Sequence, residues 1–241
     1  MQINRRQMIV AGLAAATAWP ARAAQGHALV AVAANFTKVA ALLQPVFKAE
    51  TGYKLTLASG GTGQIYAQIL NGAPYDAFLA ADQARPQLLE EVGLGEGRIT
   101  YARGLLALWR SAGEASEAVL RAGEFDHLAI ANPALAPYGQ AAQEALVALG
   151  LWGRLKGKVV MGQNVGQAYA LVASGNAALG LVARSYALGQ GESWLLPGHL
   201  YSPIRQDALL LKDTPAAAAF LSFLQSDRAQ EIILAAGYGP L

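Results

Sequence analysis

Leu55-Thr56-Leu57-Ala58-Ser59-Gly60-Gly61-Thr62-Gly63-Gln64-Ile65-Tyr66-Ala67-Gln68-Ile69 is an apolar strand that empties into a glycine-rich turn and then a helix. Glycines let the backbone turn sharply and approach a ligand closely, and the first turn of the following helix offers unpaired N–H groups at the positive end of its dipole. Thr62 adds a hydroxyl at the same mouth. The stretch therefore reads either as half of an oxyanion pocket or as a plain tight connection. It lacks the Gly-Lys-Ser/Thr ending of a nucleotide P-loop and the third glycine of a dinucleotide fingerprint, which favours a small ligand over a nucleotide.

Upstream, Ala28-Leu29-Val30-Ala31-Val32-Ala33 is a continuous apolar run of the kind a buried parallel strand shows. Phe36, Val39, Ala40, Leu43, Val46 and Phe47 then recur at helical spacing, with Pro45 expected to kink that helix or end its regular part early. Asn35 sits where this helix begins. Its preferred reading is an N-cap, which is compatible with facing a ligand at a cleft mouth.

Downstream, Asp76 to Ala80 reads as a strand and Ala84 to Val92 as a helix closed by Gly93. Asp76 and Asp82 flank that strand without a partner acid or base nearby, so turn and capping roles fit them better than catalysis. Strands that alternate with helices imply a parallel sheet covered on both faces. Leu105 to Arg110 is another strand, after which the same grammar returns. Strand His127 to Ala131 leads through Pro137-Tyr138-Gly139 into helix Gln140 to Leu149. Strand Lys158 to Met161 leads through Gln163-Asn164-Val165-Gly166 into helix Gln167 to Ala173, and Leu179 to Val182 follows. The chain closes with strand Ile204 to Leu211 and helices Pro215 to Leu224 and Asp227 to Ala235. The parallel between halves is architectural, with no residue-level repeat.

Met1 to Ala23 reads as a cleaved signal peptide: a charged start at Arg5-Arg6, an apolar run from Met8 to Ala18, and the small-x-small site Ala21-Arg22-Ala23. The arginine pair loosely resembles a twin-arginine signal, and the general secretory route also uses a basic start, so either route fits. The mature chain then begins near Ala24. Loss of Arg5, Arg6 and Arg22 takes 18 basic residues to 15 against 16 acidic ones, a net charge of −1, which removes the electrostatic case for nucleic acid or anionic lipid. With no cysteine, neither disulfides nor thiolate chemistry are available, and a 54% hydrophobic composition leaves stability to packing. His27, His127 and His199 share no metal-ligand spacing, and no Gly-x-Ser-x-Gly elbow occurs. What recurs instead is the helix start at the end of a parallel strand, where open α/β sheets hold ligands.

Over nearly its whole mature length the chain resembles the periplasmic molybdate-binding proteins of ABC importers. The segments that carry the resemblance are Ala28 to Thr37, Gly63 to Asp82, Leu128 to Pro133, Ala178 to Val182, Pro203 to Ala208 and Ala219 to Leu224. The resemblance implies a two-lobed α/β fold, each lobe a mostly parallel sheet flanked by helices, with the chain crossing twice. Residues 24–104 and 203–241 would form lobe 1 and residues 105–202 lobe 2. It implies a receptor for molybdate, and for tungstate, that needs no cofactor, works as a monomer and docks on a membrane permease. It also implies a tetrahedral dianion held without a counter-charge by Asn35, Thr62, Tyr138 and the Val165 backbone N–H, molybdenum being present only as the bound oxyanion. Ala183 departs from the pattern, since a subgroup carries a ligand-contacting Tyr there, and Tyr138 would replace that hydroxyl. A receptor for another small anion is the alternative. A hydrolase or transferase on the same frame would need a metal or an acid–base pair in the cleft.

Overall fold

The computed structural model describes residues 26–241. The expected signal peptide lies outside them. The first part of the chain runs β1 (His27–Ala33), α1 (Thr37–Thr51), β2 (Lys54–Gly60), α2 (Thr62–Leu70), β3 (Ala77–Leu79), α3 (Ala84–Glu91) and β4 (Glu96–Gly104). The middle part is β5 (Leu106–Arg110), α4 (Glu117–Ala122), β6 (Leu128–Ala131), α5 (Pro137–Ala148), α6 (Trp152–Leu155), β7 (Val159–Gly162), α7 (Val165–Ala173), β8 (Leu179–Ala183), α8 (Arg184–Ala187) and β9 (Glu192–Leu195). Then come β10 (Ile204–Leu210), α9 (Pro215–Leu224) and α10 (Asp227–Ala235).

These strands form two five-stranded sheets, ordered β2-β1-β3-β10-β4 and β7-β6-β8-β5-β9. In each, three strands pair in parallel and the fourth runs antiparallel to both its neighbours. Four of five strands thus point one way. The reversed strand, β10 or β5, is in each case the first one laid down after the chain passes from the other sheet. The apolar runs that announced β1 and β6 are buried nearly throughout, as strands covered by helices on both faces must be. Phe36, Phe47, Phe220 and Leu224 pack one core, and Leu108, Leu146, Leu155 and Leu181 another.

Element bounds differ from the sequence reading by a residue or two in most places. β4 and β9 carried no apolar signal. β4 holds Arg98 and Thr100, bonded to the buried Asp207 carboxylate of β10 at 2.7 Å each, beside a short apolar pair, Tyr101 and Ala102, that packs in the core. β9 is a largely exposed edge strand. Pro45 does not end its helix: α1 runs through to Thr51, and Pro45 lies on the exposed side, where water can bond the carbonyl left without an N–H donor.

Asn35 is not an N-cap, contrary to the preferred reading. It lies in a single 3-10 turn, Ala34–Phe36, and the N-cap of α1 is Phe36, with no side-chain capping bond. The Asn35 amide is turned inward instead and donates to Gln206 Oε1 (2.8 Å) and the Tyr238 hydroxyl (2.9 Å). In a site this enclosed, an amide left unpaired would cost more than a missing cap. Asp82 does hold a turn, accepting from the Arg85 N–H (3.0 Å), whereas Asp76 ties neighbouring strands instead, accepting from the Leu29 N–H of β1 (2.7 Å) 47 residues away.

Candidate functional site

The two sheets face each other across a cleft that is closed in this structure. The Gly63 N–H donates to the Leu135 carbonyl (3.3 Å), and the Tyr186 hydroxyl donates to the Ala34 carbonyl (2.6 Å). Gln64 donates to the Gln163 side chain (2.5 Å). Beneath these contacts lies a small cavity of about 10 Å³. Ala34, Asn35, Gly61, Thr62 and Ala81 line it from one side, and Ala136, Pro137, Tyr138, Asn164 and Val165 from the other. All four residues expected to form the site therefore meet in one place.

The cavity is walled by helix beginnings. Ala34 and Asn35 open the 3-10 turn, Thr62 is the first residue of α2, Tyr138 the second of α5 and Val165 the first of α7. The first N–H groups of a helix have no partner within it, and four helix starts converging on one space make it electropositive without any cation. No Lys, Arg, His, Asp or Glu lines it. Asn164 caps α7 by accepting from the Gln167 N–H (3.1 Å), which leaves the earlier N–H at Val165 facing the cavity.

Side-chain hydroxyls complete the set. Thr62 Oγ1 accepts from the Ala81 N–H (3.1 Å), so its position is fixed while its proton is left for another acceptor. The Tyr138 hydroxyl accepts from Gln206 Nε2 (3.3 Å). Burial pushes the Tyr138 phenol well above its ordinary pKa, keeping its proton on. Asn35 differs. Both of its amide hydrogens are already engaged, so what it can present to a ligand is its main-chain N–H. Ala183 is fully buried at the end of β8 and offers no hydroxyl.

A wider cleft beside the cavity is lined by Asp82, Gln83, Gln140, Glu144 and Arg205. Its acids are already partnered: Asp82 pairs with Arg85, and Glu144 accepts from Gln140 (2.9 Å) and the Ser202 N–H (2.7 Å). The enclosed cavity, whose donors are unspent, is the candidate site.

Sequence reasoning missed Gln206, which is wholly buried next to Asp207. The available signal was a polar pair inside a strand that otherwise reads Ala208-Leu209-Leu210. The ladder of β10 against β4 slips between the two, a bulge of the sort that re-aims side chains near sites.

Residues 28–239 match the model of the bacterial extracellular solute-binding protein family, and the chain belongs to that family. It is 44% identical to the molybdate-binding protein ModA of Azotobacter vinelandii over 99% of both chains. It is 45% identical to ModA of Rhodobacter capsulatus over 90% of this chain and 89% of that one. The structure of the periplasmic molybdate-binding protein of Azotobacter vinelandii superposes with a TM-score of 0.85 at 37% identity, covering 89% of this chain and 99% of that one.

Proposed function

We propose that this chain is an extracytoplasmic receptor that captures molybdate in the enclosed cavity, closes its lobes over it and delivers it to the permease of an ABC importer. The supporting observation is a small cavity, free of charged side chains, that gathers hydroxyls and unpaired helix N–H groups from both sheets. A tetrahedral dianion offers acceptors in four directions, and donors fixed on two bodies can reach it from opposite sides. The Thr62 and Tyr138 hydroxyls and the main-chain N–H groups at Asn35 and Val165 supply them. Tungstate, of nearly the same size and charge, binds the same way. No bond is made or broken, so the role is carriage rather than catalysis. In this reading residues 24–104 and 203–241 move as one lobe and residues 105–202 as the other. The working form is a periplasmic monomer that begins near Ala24, a start that N-terminal sequencing of the exported protein reads directly.

Fixed donors discriminate by size. Sulfate is too small to reach all of them at hydrogen-bonding length, and each buried donor left unpaired costs about 1–3 kcal/mol. Phosphate carries a proton at neutral pH that walls of donors cannot accept. Calorimetry with molybdate, tungstate, sulfate and phosphate at equal ionic strength is the test. Tight binding of the first two and weak binding of the others is expected. Sulfate binding as strong as molybdate binding would reassign the receptor to another oxyanion.

A further inference from the structure

Gln206 touches side chains from both lobes without lining the cavity itself. Its Oε1 accepts from the Asn35 amide (2.8 Å), and its Nε2 donates to the Tyr138 hydroxyl (3.3 Å); the Tyr101 hydroxyl, which donates to the Ala80 carbonyl (2.9 Å), lies 3.1 Å from the same Oε1. Which end of a side-chain amide is oxygen must be argued from its neighbours, and here an unambiguous acceptor anchors the series. The Asn35 main-chain carbonyl can only accept, and the Tyr238 hydroxyl donates to it at 2.8 Å. A hydroxyl has one proton, so Tyr238, its proton committed, can only accept from the Asn35 amide at 2.9 Å. That contact fixes Nδ2 on the side facing Tyr238 and Gln206. Gln206 must then meet it with Oε1 and turn Nε2 toward Tyr138. The Tyr138 hydroxyl, receiving that hydrogen, has its own proton left over, and among the described residues no protein atom takes it.

We propose that Gln206 is a positioning residue for ligand recognition. It is the last link of a one-way hydrogen-bond relay that runs from the Asn35 carbonyl through Tyr238 and the Asn35 amide, and it obliges Tyr138 to donate its proton into the cavity. The inference rests on the oxyanion reading above and deepens it. A relay of fixed direction makes the second lobe's hydroxyl a donor, which suits a fully deprotonated oxyanion and rejects one that must place a proton there. The relay is held rigidly. Phe36 packs edge-on between Tyr101 and Tyr238, with ring centres 4.8 and 5.4 Å away. Burial raises the Tyr101 and Tyr238 phenols as well, so every proton in the series stays in place across the working pH range. The relay also spans the molecule's divide: Asn35, Tyr101, Gln206 and Tyr238 stand on or beside the first sheet, and Tyr138 on a helix of the second.

A double-mutant cycle tests this, with Gln206→Met and Tyr138→Phe made singly and together and titrated calorimetrically with molybdate, phosphate and sulfate. If Gln206 acts through the Tyr138 hydroxyl, Gln206→Met weakens molybdate binding about tenfold in the parent and less than about twofold in the Tyr138→Phe background. Losses that simply add would overturn the proposal. Tyr238→Phe removes a more distant link by a single oxygen and covers the case in which Gln206→Met does not fold. Freed to turn, the amides should let Tyr138 accept as well as donate, so the ratio of molybdate to phosphate affinity at pH 6 should fall several-fold. An equal loss for both anions, accompanied only by a lower melting temperature, would mark the network as merely structural and overturn the relay. Should the parent bind sulfate and not molybdate, the molybdate reading fails, and the cycle measured with sulfate still decides the role of Gln206.

Discussion

The two sheets are near-copies in topology and differ in how they hold their share of the site. In the first, the donors are fixed locally. The Thr62 hydroxyl rests on the Ala81 N–H just past β3, and the Asn35 turn is held by Tyr238 near the C-terminus of the same body, with Ser185 and Tyr186 of the other body adding bonds to its carbonyls. In the second, Val165 is set locally by the Asn164 cap, but the Tyr138 hydroxyl is held by Gln206 of β10 and packs against Gly104 of β4. The second body therefore carries a side-chain donor whose hydrogen-bond partner lies on the first. The Thr62 donor is thus set within its own body, and the Tyr138 donor across the divide.

The contrast breaks most completely at Gly104, whose φ lies outside the left-handed region, so space is what demands glycine there. A Cβ at this position would fall against the Tyr138 hydroxyl, 2.9 Å from Tyr138 Cζ and 2.7 Å from Gln206 Nε2. Gly104→Ala should displace both ends of the inter-lobe bond and cost about a hundredfold or more in molybdate affinity, overpacking adding to the lost hydrogen bond. Calorimetry would show it. An affinity within threefold of the parent would mean that the Tyr138 hydroxyl is not seated there in the bound state.

Thr62 and Tyr138 sharpen the same contrast. Thr62→Val removes a donor from the cavity and also leaves the buried Ala81 N–H without its acceptor, so it should cost about 1–3 kcal/mol of stability in the ligand-free protein as well as roughly ten- to a hundredfold in affinity. Tyr138→Phe should weaken binding comparably while leaving the ligand-free melting temperature nearly unchanged, because its lost partner lies across the cleft. Thr62→Ser, which keeps the hydroxyl, should restore most of both quantities. A fall in melting temperature as large for Tyr138→Phe as for Thr62→Val would erase the distinction between the lobes.

What could be read from the sequence follows a physical division. The strands buried on both faces, such as β1 and β6, announce themselves by unbroken apolar runs, and the helix starts by glycine, proline and asparagine at their mouths. Because those starts form the cavity, Asn35, Thr62, Tyr138 and Val165 could all be named in advance from position and family resemblance. β4 could not, since only Tyr101, Ala102 and Gly104 of it are buried and its Arg98 and Thr100 are held by Asp207, a contact 107 residues away for Thr100. The Asn35 side chain was misread for the same kind of reason. Local sequence offers a cap, whereas the partners that won, Gln206 and Tyr238, are 171 and 203 residues distant. Long-range polar pairing leaves no periodicity to detect.

The smallest effect expected concerns the clasp that keeps the lobes shut. Lys38, on α1, lies over the rings of Tyr186 and Tyr169 at 5.0 and 5.3 Å from their centres. Those rings stack on each other at 5.0 Å, and Tyr169 stacks on Trp109 at 4.5 Å, so the cation meets a rigid aromatic face of the opposite body. Beside it, the Tyr186 phenol, pushed up by burial to about 12, keeps the proton it donates to the Ala34 carbonyl at neutral pH. Lys38 is solvent-exposed, which limits a cation–π contact to about 0.5–1 kcal/mol. Lys38→Met should therefore weaken molybdate binding only about two- to fivefold. The loss should appear as faster dissociation, since the contact exists only once the lobes have met. Lys38→Arg, which keeps a cation able to lie over the rings, should release at close to the parent rate. Stopped-flow measurement of release separates the outcomes. A slower association with unchanged dissociation would mean that Lys38 steers the anion toward the cleft instead of clasping the lobes around it.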